Sequence, residues 1–262
     1  MIKTKIIIMI MIFLLLLFSS NLLATVRVEP AKILIKSDLG QRSTGTIDVY
    51  NNGEENVLLQ AYLYDWTLDA RDDVKTYYPG TLDNSLNGYI KFNPRSFILE
   101  PGKKQVVRFT ITTPEELDRE LRGIVFFEQE TNLIDNSTGS IVKSQIGTVI
   151  YLTPDKVNYS FQLNDVRVLE EKVNNRYRFV VIMENKGEAH LRLVINYKII
   201  DENNSLIEEG EFDQYVLLPD FRRALIFSPT NELKPGNYKL YLNYYFMNSK
   251  REKEYEIPIT LK

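Results

Sequence analysis

The chain of 262 residues contains no cysteine and one histidine. Without cysteine there is no disulfide, no thiol nucleophile and no site for a lipid-modified cysteine, so an exported form must be held by its cores alone. The single histidine, His190, offers no HxxxH spacing and no metal-site partner. It follows the turn at residues 184–188 and reads as a satisfied surface or boundary residue. No P-loop, no GxGxxG opening a helix and no GxSxG is present. Carboxylates are numerous but lie mostly in turns beside basic residues; a glycosidase pair needs only convergence in space, and nothing in the sequence favours one. Asp83, Ser85, Asn87 and Gly88 open like a calcium loop, but its twelfth position is Pro94 where a bidentate Glu is needed. These absences argue against an enzyme and leave no catalytic residue, no metal site and no cofactor to assign. No long Ala/Leu/Glu/Lys-rich amphipathic stretch calls for a helical bundle.

Long apolar runs are also scarce, apart from one at the N-terminus. Lys3 and Lys5 precede an apolar run at residues 6–18, followed by Ser19, Ser20 and Asn21 and then Leu22-Leu23-Ala24. A basic start, a short apolar stretch and a small residue at the cut form a secretory signal peptide over residues 1–24. Thirteen apolar residues are short for a membrane span, so no span is expected after cleavage; an uncleaved anchor is the alternative. Removing the two lysines of that segment takes the net charge from −3 to −5. Such a surface has no general attraction for nucleic acid.

What the chain does have is aromatic, alternating segments: 16 Tyr and 13 Phe, residues suited to half-buried strands. Pro94 and Pro101-Gly102 punctuate a block in which Phe97 and Leu99, then Val107, Phe109 and Ile111, alternate with their neighbours. That pattern predicts strand, tight turn, strand. A weaker copy runs over residues 217–227. The turn residues Asn51, Gly53 and Glu54 align with Asn185, Gly187 and Glu188. Pro101 and Phe109 then align with Pro219 and Phe227 in the same order, which implies an internal duplication. Pro30 interrupts the first extended segment, as in an edge strand or one that changes sheets. Residues 68–89 read as a solvated connection, and Thr113-Pro114-Glu115-Glu116 as a capping box starting a short helix. Tyr238 sits where a tyrosine corner would enter a strand. About seven short strands per ~100 residues predict an all-β chain of two tandem immunoglobulin-like β-sandwich domains. Their expected bounds are 25–155 and 157–262.

The set Val28-Glu29-Pro30-Ala31-Lys32-Ile33, Asn93-Pro94 through Gln105-Val106-Val107-Arg108, Asp118-Arg119-Glu120 and Ile150-Tyr151-Leu152-Thr153-Pro154 resembles the periplasmic pilus chaperones of the PapD type. The resemblance implies a periplasmic, non-enzymatic chaperone. Its partners would be strand-incomplete secreted or pilus-type subunits, with an outer-membrane usher as a further partner. Such chaperones lend an edge strand by β-augmentation. On matching positions the lent strand implies partner-binding residues Gln145, Ile146, Thr148, Val149 and Ile150, with a client strand along residues 145–152. Lys32 occupies the first of two basic sites that hold the client's terminal carboxylate. The second is Val149 in place of a cation, with Lys143 six residues away. The resemblance further implies a structural ion pair between Arg108 and Glu120. A structural or adhesive cell-envelope protein, built of the same two sandwiches as spacers, is the other reading.

Overall fold

A computed structural model of the chain describes residues 26–69, 72–129, 134–135, 140–141 and 144–262. The expected signal segment and Lys143 lie outside the described residues. Every regular element among the described residues is a strand.

The first twelve strands are β1 (Val26–Glu29), β2 (Lys32–Ser37), β3 (Arg42–Asn51), β4 (Val57–Leu68), β5 (Val74–Tyr77), β6 (Ile90–Asn93), β7 (Ser96–Leu99), β8 (Lys104–Thr112), β9 (Leu121–Gln129), β10 (Ile134–Asp135), β11 (Ser140–Ile141) and β12 (Ser144–Pro154). One sheet has the order β1-β3-β8-β6. The facing sheet has the order β2-β12-β9-β4-β5, with β7 also on β4. Alternation drives both: Ile47 and Val49 of β3, Val107, Phe109 and Ile111 of β8, and Leu59 and Ala61 of β4 point inward and share one core with Phe127, Ile150 and Leu152. Each such side chain contributes about 1.5–3 kcal/mol by leaving water. β9 lies between β12 and β4 and is buried along nearly its whole length, as a central strand of near-continuous apolar character should be.

The remaining strands are β13 (Phe161–Val173), β14 (Arg176–Asn185), β15 (Leu191–Asp201), β16 (Leu206–Leu217), β17 (Arg222–Phe227), β18 (Gly236–Phe246) and β19 (Arg251–Leu261). They form sheets of order β13-β14-β17 and β16-β15-β18-β19 around a second core that includes Phe179, Met183, Leu193, Leu242 and Tyr244. The chain is thus two β-sandwiches in series. The Tyr238 hydroxyl donates to the Lys234 carbonyl at 3.0 Å. That is the tyrosine corner expected at this position.

The duplication is present down to individual hydrogen bonds. Asn51 is buried, and its side-chain amide donates to the carbonyls of Glu55 and Leu99 while its Oδ1 accepts from the Gly53 amide. Asn185 is buried and does the same with Ala189, Leu217 and Gly187. The backbone agrees: the Gly102 amide donates to the Asn51 carbonyl, and the Asp220 amide to that of Asn185. In both copies the strand, turn, strand unit is not a hairpin. β7 pairs with β4 and β8 with β3, so the Pro101-Gly102 turn crosses from one sheet to the other.

Two local expectations are corrected. Residues 113–120 form no helix. The Thr113 hydroxyl donates to Ser37 Oγ at 3.0 Å, and the Thr113 amide to the Gln41 carbonyl, so the capping hydroxyl is committed to another strand. The connection after β4 is also not simply solvated. β5 folds back on β4, the Asp65 carboxylate accepts from the amides of Thr81 and Leu82 and from the Ser85 hydroxyl, and Leu86 is fully buried.

Candidate partner-binding cleft

β12 is the strand that the resemblance singles out. Its one side pairs with β9 from Ser144 to Leu152. Its other side is divided. At Pro30, which has no N–H to offer a ladder, the N-terminal strand changes sheets. β1 pairs with β3, whereas β2 runs parallel to the C-terminal half of β12, Lys32 opposite Val149 and Ile33 opposite Ile150. The Val149 amide donates to the Ala31 carbonyl at 3.0 Å, and Thr148 Oγ1 to the Pro30 carbonyl at 2.9 Å. The expected client register along 145–152 is therefore corrected. Val149 and Ile150 already have strands on both sides, and the open edge among the described residues is 144–148.

Alternation assigns the open groups. Because the Val149 amide points away from β9, so do the backbone amides and carbonyls of Gly147 and Gln145 two and four residues earlier. Side chains on this stretch are unequal. Gln145 is exposed and its amide donates to Glu128 Oε2 at 2.8 Å. Ile146 packs against the first core and Thr148 is fully buried, so neither side chain is freely presented. Gly147 leaves its place to neighbours: a Cβ there would lie 2.7 Å from Phe126 Cδ1 and 2.8 Å from Ile124 Cγ2.

Lys32 stands exposed at the point where β2 joins β12. Partial desolvation, and next the charge of Arg192, hold its ammonium below the usual lysine range. Arg192, on β15 of the second sandwich, is a cation that no motif in the sequence points to, since it lies outside β12. Its backbone amide donates to Asn248 Oδ1 at 2.6 Å and its Nη2 to Gln214 Oε1 at 3.1 Å. Among the described residues neither Lys32 nor Arg192 is within ion-pair distance of an acid. A second positive charge near Lys32, with no acid at ion-pair distance, makes a place favourable to an anion.

The sandwiches meet beside this point. Trp66, Ile124 and Tyr151 of the first pack with Leu218 of the second, flanked by Val149, Val216 and Phe221. Tyr151 stacks on His190, centroids 4.1 Å apart at 27°. His190 is 2% exposed, so of the expected surface or boundary position only the boundary holds. The implied Arg108–Glu120 pair is likewise corrected. Arg108 is exposed on β8, in the sheet away from Glu120, opposite Thr46 and Asn93. Glu120, itself 1% exposed, accepts instead from His190 Nδ1 at 2.7 Å, the His190 amide at 3.2 Å and Thr153 Oγ1 at 2.8 Å. Further out, Arg119 pairs with Asp220 at 3.5 Å, and Arg223 with Asp72 at the tip of the β4–β5 hairpin.

Neither a protein-family model nor a curated protein matches the sequence. Solved structures do match the fold. The chain is similar to a protein from a chaperone–tip adhesin complex of CFA/I fimbriae biogenesis, with a TM-score of 0.50 and 14% identity over 91% of this chain and 100% of that one. It is also matched with the class 5 fimbriae chaperone CfaA (TM-score 0.49, 16% identity, 90% and 98% covered). A third match is the CsuC–CsuE chaperone–tip adhesion subunit complex of Acinetobacter baumannii (TM-score 0.49, 13% identity, 90% and 99% covered). The first likeness shows the fold alone, two β-sandwiches in series.

Proposed function

We propose that this chain is a non-enzymatic periplasmic chaperone for secreted or pilus-type subunits that lack a strand, with an outer-membrane usher as a further partner. The observation that carries the reading is the edge of β12 at residues 144–148, open among the described residues and ending where Lys32 stands opposite Val149, with the charge of Arg192 acting on that lysine. A client strand adds to the outward amides and carbonyls of Gln145 and Gly147, and main-chain hydrogen bonds provide most of its affinity. Its terminal carboxylate comes to rest between Lys32 and Arg192, one cation from each sandwich. Val149, opposite Lys32, then needs no charge, because the second sandwich contributes the cation.

The test is binding of the mature chain to a peptide copied from a candidate subunit's C-terminal strand, with the terminus free or amidated. A partly buried charge-assisted contact is worth about 1.5–3 kcal/mol, or roughly ten- to a hundredfold in affinity. Amidation, Lys32→Ala and Arg192→Ala should each weaken binding by that factor. Equal binding of both peptides would remove the carboxylate anchor and leave the edge acting alone. Binding that also survives a proline at Gln145 would end the strand-addition reading in favour of the envelope-spacer one.

A further inference from the structure

We propose that a gap in the outer edge of β4, at Leu63, binds the free C-terminal end of a partner polypeptide, with the terminal carboxylate on Arg95. The site does not rest on the reading above, and β9 separates it from β12. Two strands share this edge of β4 and neither covers its middle. β7 pairs with residues 57–60 and β5 with residues 65–68. The Ala61 amide still reaches the Arg95 carbonyl at 2.7 Å. Because the Ala61 amide points away from β9, so do the amide and carbonyl of Leu63 two residues on. Continued along β4, the two registers would place Pro79 and Asn93 opposite Leu63. Pro79 has no N–H to give the Leu63 carbonyl, and the chain turns away at Gly80, whose φ is 85°. Asn93 is taken up in β6, opposite Arg108 of β8. Among the described residues, nothing bonds to the outward amide and carbonyl of Leu63.

The surroundings of the gap select its occupant. A cavity of about 350 Å³ opens there, lined by Tyr62, Tyr64, Tyr78, Ile90, Phe92 and Arg95 among others. Arg95 is exposed, with its guanidinium over the Phe92 ring at 4.9 Å. Among the described residues no acid lies within ion-pair distance of it. The gap spans residues 62–64, about 10 Å by strand rise. β5 closes one end and β7 the other, so a strand running through does not fit, whereas a chain end does. Both flanking strands run antiparallel to β4, toward its Val57 end. An occupant running the same way ends at Arg95, where a free carboxylate gains a charge-assisted contact that a neutral end cannot make. The residue opposite Leu63 exchanges both main-chain bonds with it and shares its face. Leu63 packs against the first core, which includes Ile90 and Phe92, so that residue is apolar. The last residue falls on the other face, beside Tyr62. A second copy of this chain is not the donor, because its own end is tied down: Leu261 pairs with Gly236, and the Lys262 carbonyl accepts from the Tyr177 hydroxyl.

The test is an NMR titration of the isotope-labelled mature chain with the peptide acetyl-Thr-Val-Ala, its terminus free or amidated. In the register above, Val stands opposite Leu63 and Ala opposite Tyr62. Over about 1–10 mM peptide, the range for short ligands, the Leu63 amide should shift and saturate. Amidation should weaken binding about tenfold or more, the weight of a charge-assisted contact. Acetyl-Thr-Asp-Ala, which turns a charge toward Ile90 and Phe92, should bind more weakly than the Val peptide. Arg95→Gln, at an exposed position, should weaken the free peptide as amidation does and leave the amidated one unchanged. The comparison of the two termini needs no variant. Equal binding of the free and amidated peptides would overturn the site, and so would an Arg95→Gln protein that binds the free peptide as wild type does. A Leu63 amide that stays fixed would overturn it too, whether the Gly147 amide of β12 shifts in its place or neither moves.

Discussion

At the scale of single residues, the side chains that hold each sandwich together are polar as well as apolar. Asn51 and Asn185 each join a turn to the next sheet crossing through three hydrogen bonds in a dry site. Truncating either strands three backbone groups, and such groups cost about 1–3 kcal/mol each when left unpaired. Asn51→Ala and Asn185→Ala should each lower unfolding free energy by about 3 kcal/mol or more, measured by urea denaturation; a loss under about 0.5 kcal/mol, the surface norm, would refute the role. Both residues were legible, because a duplicated Asn-x-Gly turn leaves a repeated sequence. Glu208 was not, since its partners are 11 to 23 residues away and follow no motif. Burial disfavours its carboxylate, but the Asn231 amide, the Tyr197 hydroxyl and the Thr230 amide outweigh that and hold its pKa below the usual range. A depressed carboxylate pKa contributes stability above the unfolded value and loses it as pH falls through the folded one. Stability of the wild type should therefore decline below about pH 4 more steeply than that of Glu208→Gln; parallel acid limbs for the two proteins would contradict the assignment.

At the scale of the element, β12 shows what a strand's sequence reveals and what it hides. Its place beside β9 follows from apolar alternation. The cover over its second half depends on where another strand, whose residues lie 117 positions before their partners, breaks at Pro30, and a local pattern carries no record of that partner. The same limit explains the helix expected after Thr113: its capping signature is real, but Ser37 takes the hydroxyl. The edge geometry gives a discriminating pair of substitutions. A proline at Gln145 removes an outward amide that no described strand uses, and prolines are tolerated at such edge positions. A proline at Ile146 removes an amide aimed at β9 and disturbs a core side chain. Gln145→Pro should keep a melting temperature close to wild type while client-peptide binding falls below detection. Ile146→Pro should lose stability by about 3 kcal/mol. Equal stability losses for the two would show that the outward and inward assignments are wrong. Gly147→Ala is a third probe, because its methyl meets Phe126 and Ile124 at under 3 Å; overpacking of that kind costs about 1–3 kcal/mol.

At the scale of the whole molecule, the question is what keeps two separately cored sandwiches in one arrangement. Among the described residues three side-chain pairs span them, beside the bond from the Glu120 amide to the Glu188 carbonyl, and they differ in weight. The Arg119–Asp220 pair is exposed, with side chains 44% and 66% accessible, and pairs of that kind contribute about 0–1 kcal/mol. Arg223–Asp72 is better covered on the arginine side, where Tyr215 lies beneath the guanidinium at 4.1 Å. Glu120–His190 is buried on both sides, and it stands beside the apolar seam of Trp66, Ile124, Tyr151 and Leu218. None of the three was legible as a pair: each joins residues 70 or more apart in sequence, or 101 in the case of Arg119 and Asp220, across two domains whose orientation no periodicity encodes. Their hierarchy is testable. Glu120→Ala strips the acceptor from two donors of His190 and one of Thr153 in a buried site, and buried groups left unpaired cost about 1–3 kcal/mol each. Arg119→Ala should stay within about 0.5 kcal/mol of wild type. Two cores allow the sandwiches to unfold separately, so a single midpoint is not the decisive observable. Small-angle X-ray scattering of the native proteins is: Glu120→Ala should broaden the distribution of interdomain distances while each sandwich retains its β-sheet circular dichroism. A scattering profile that Glu120→Ala leaves unchanged, but Arg223→Ala alters, would move the lock from the buried seam to the β4–β5 hairpin.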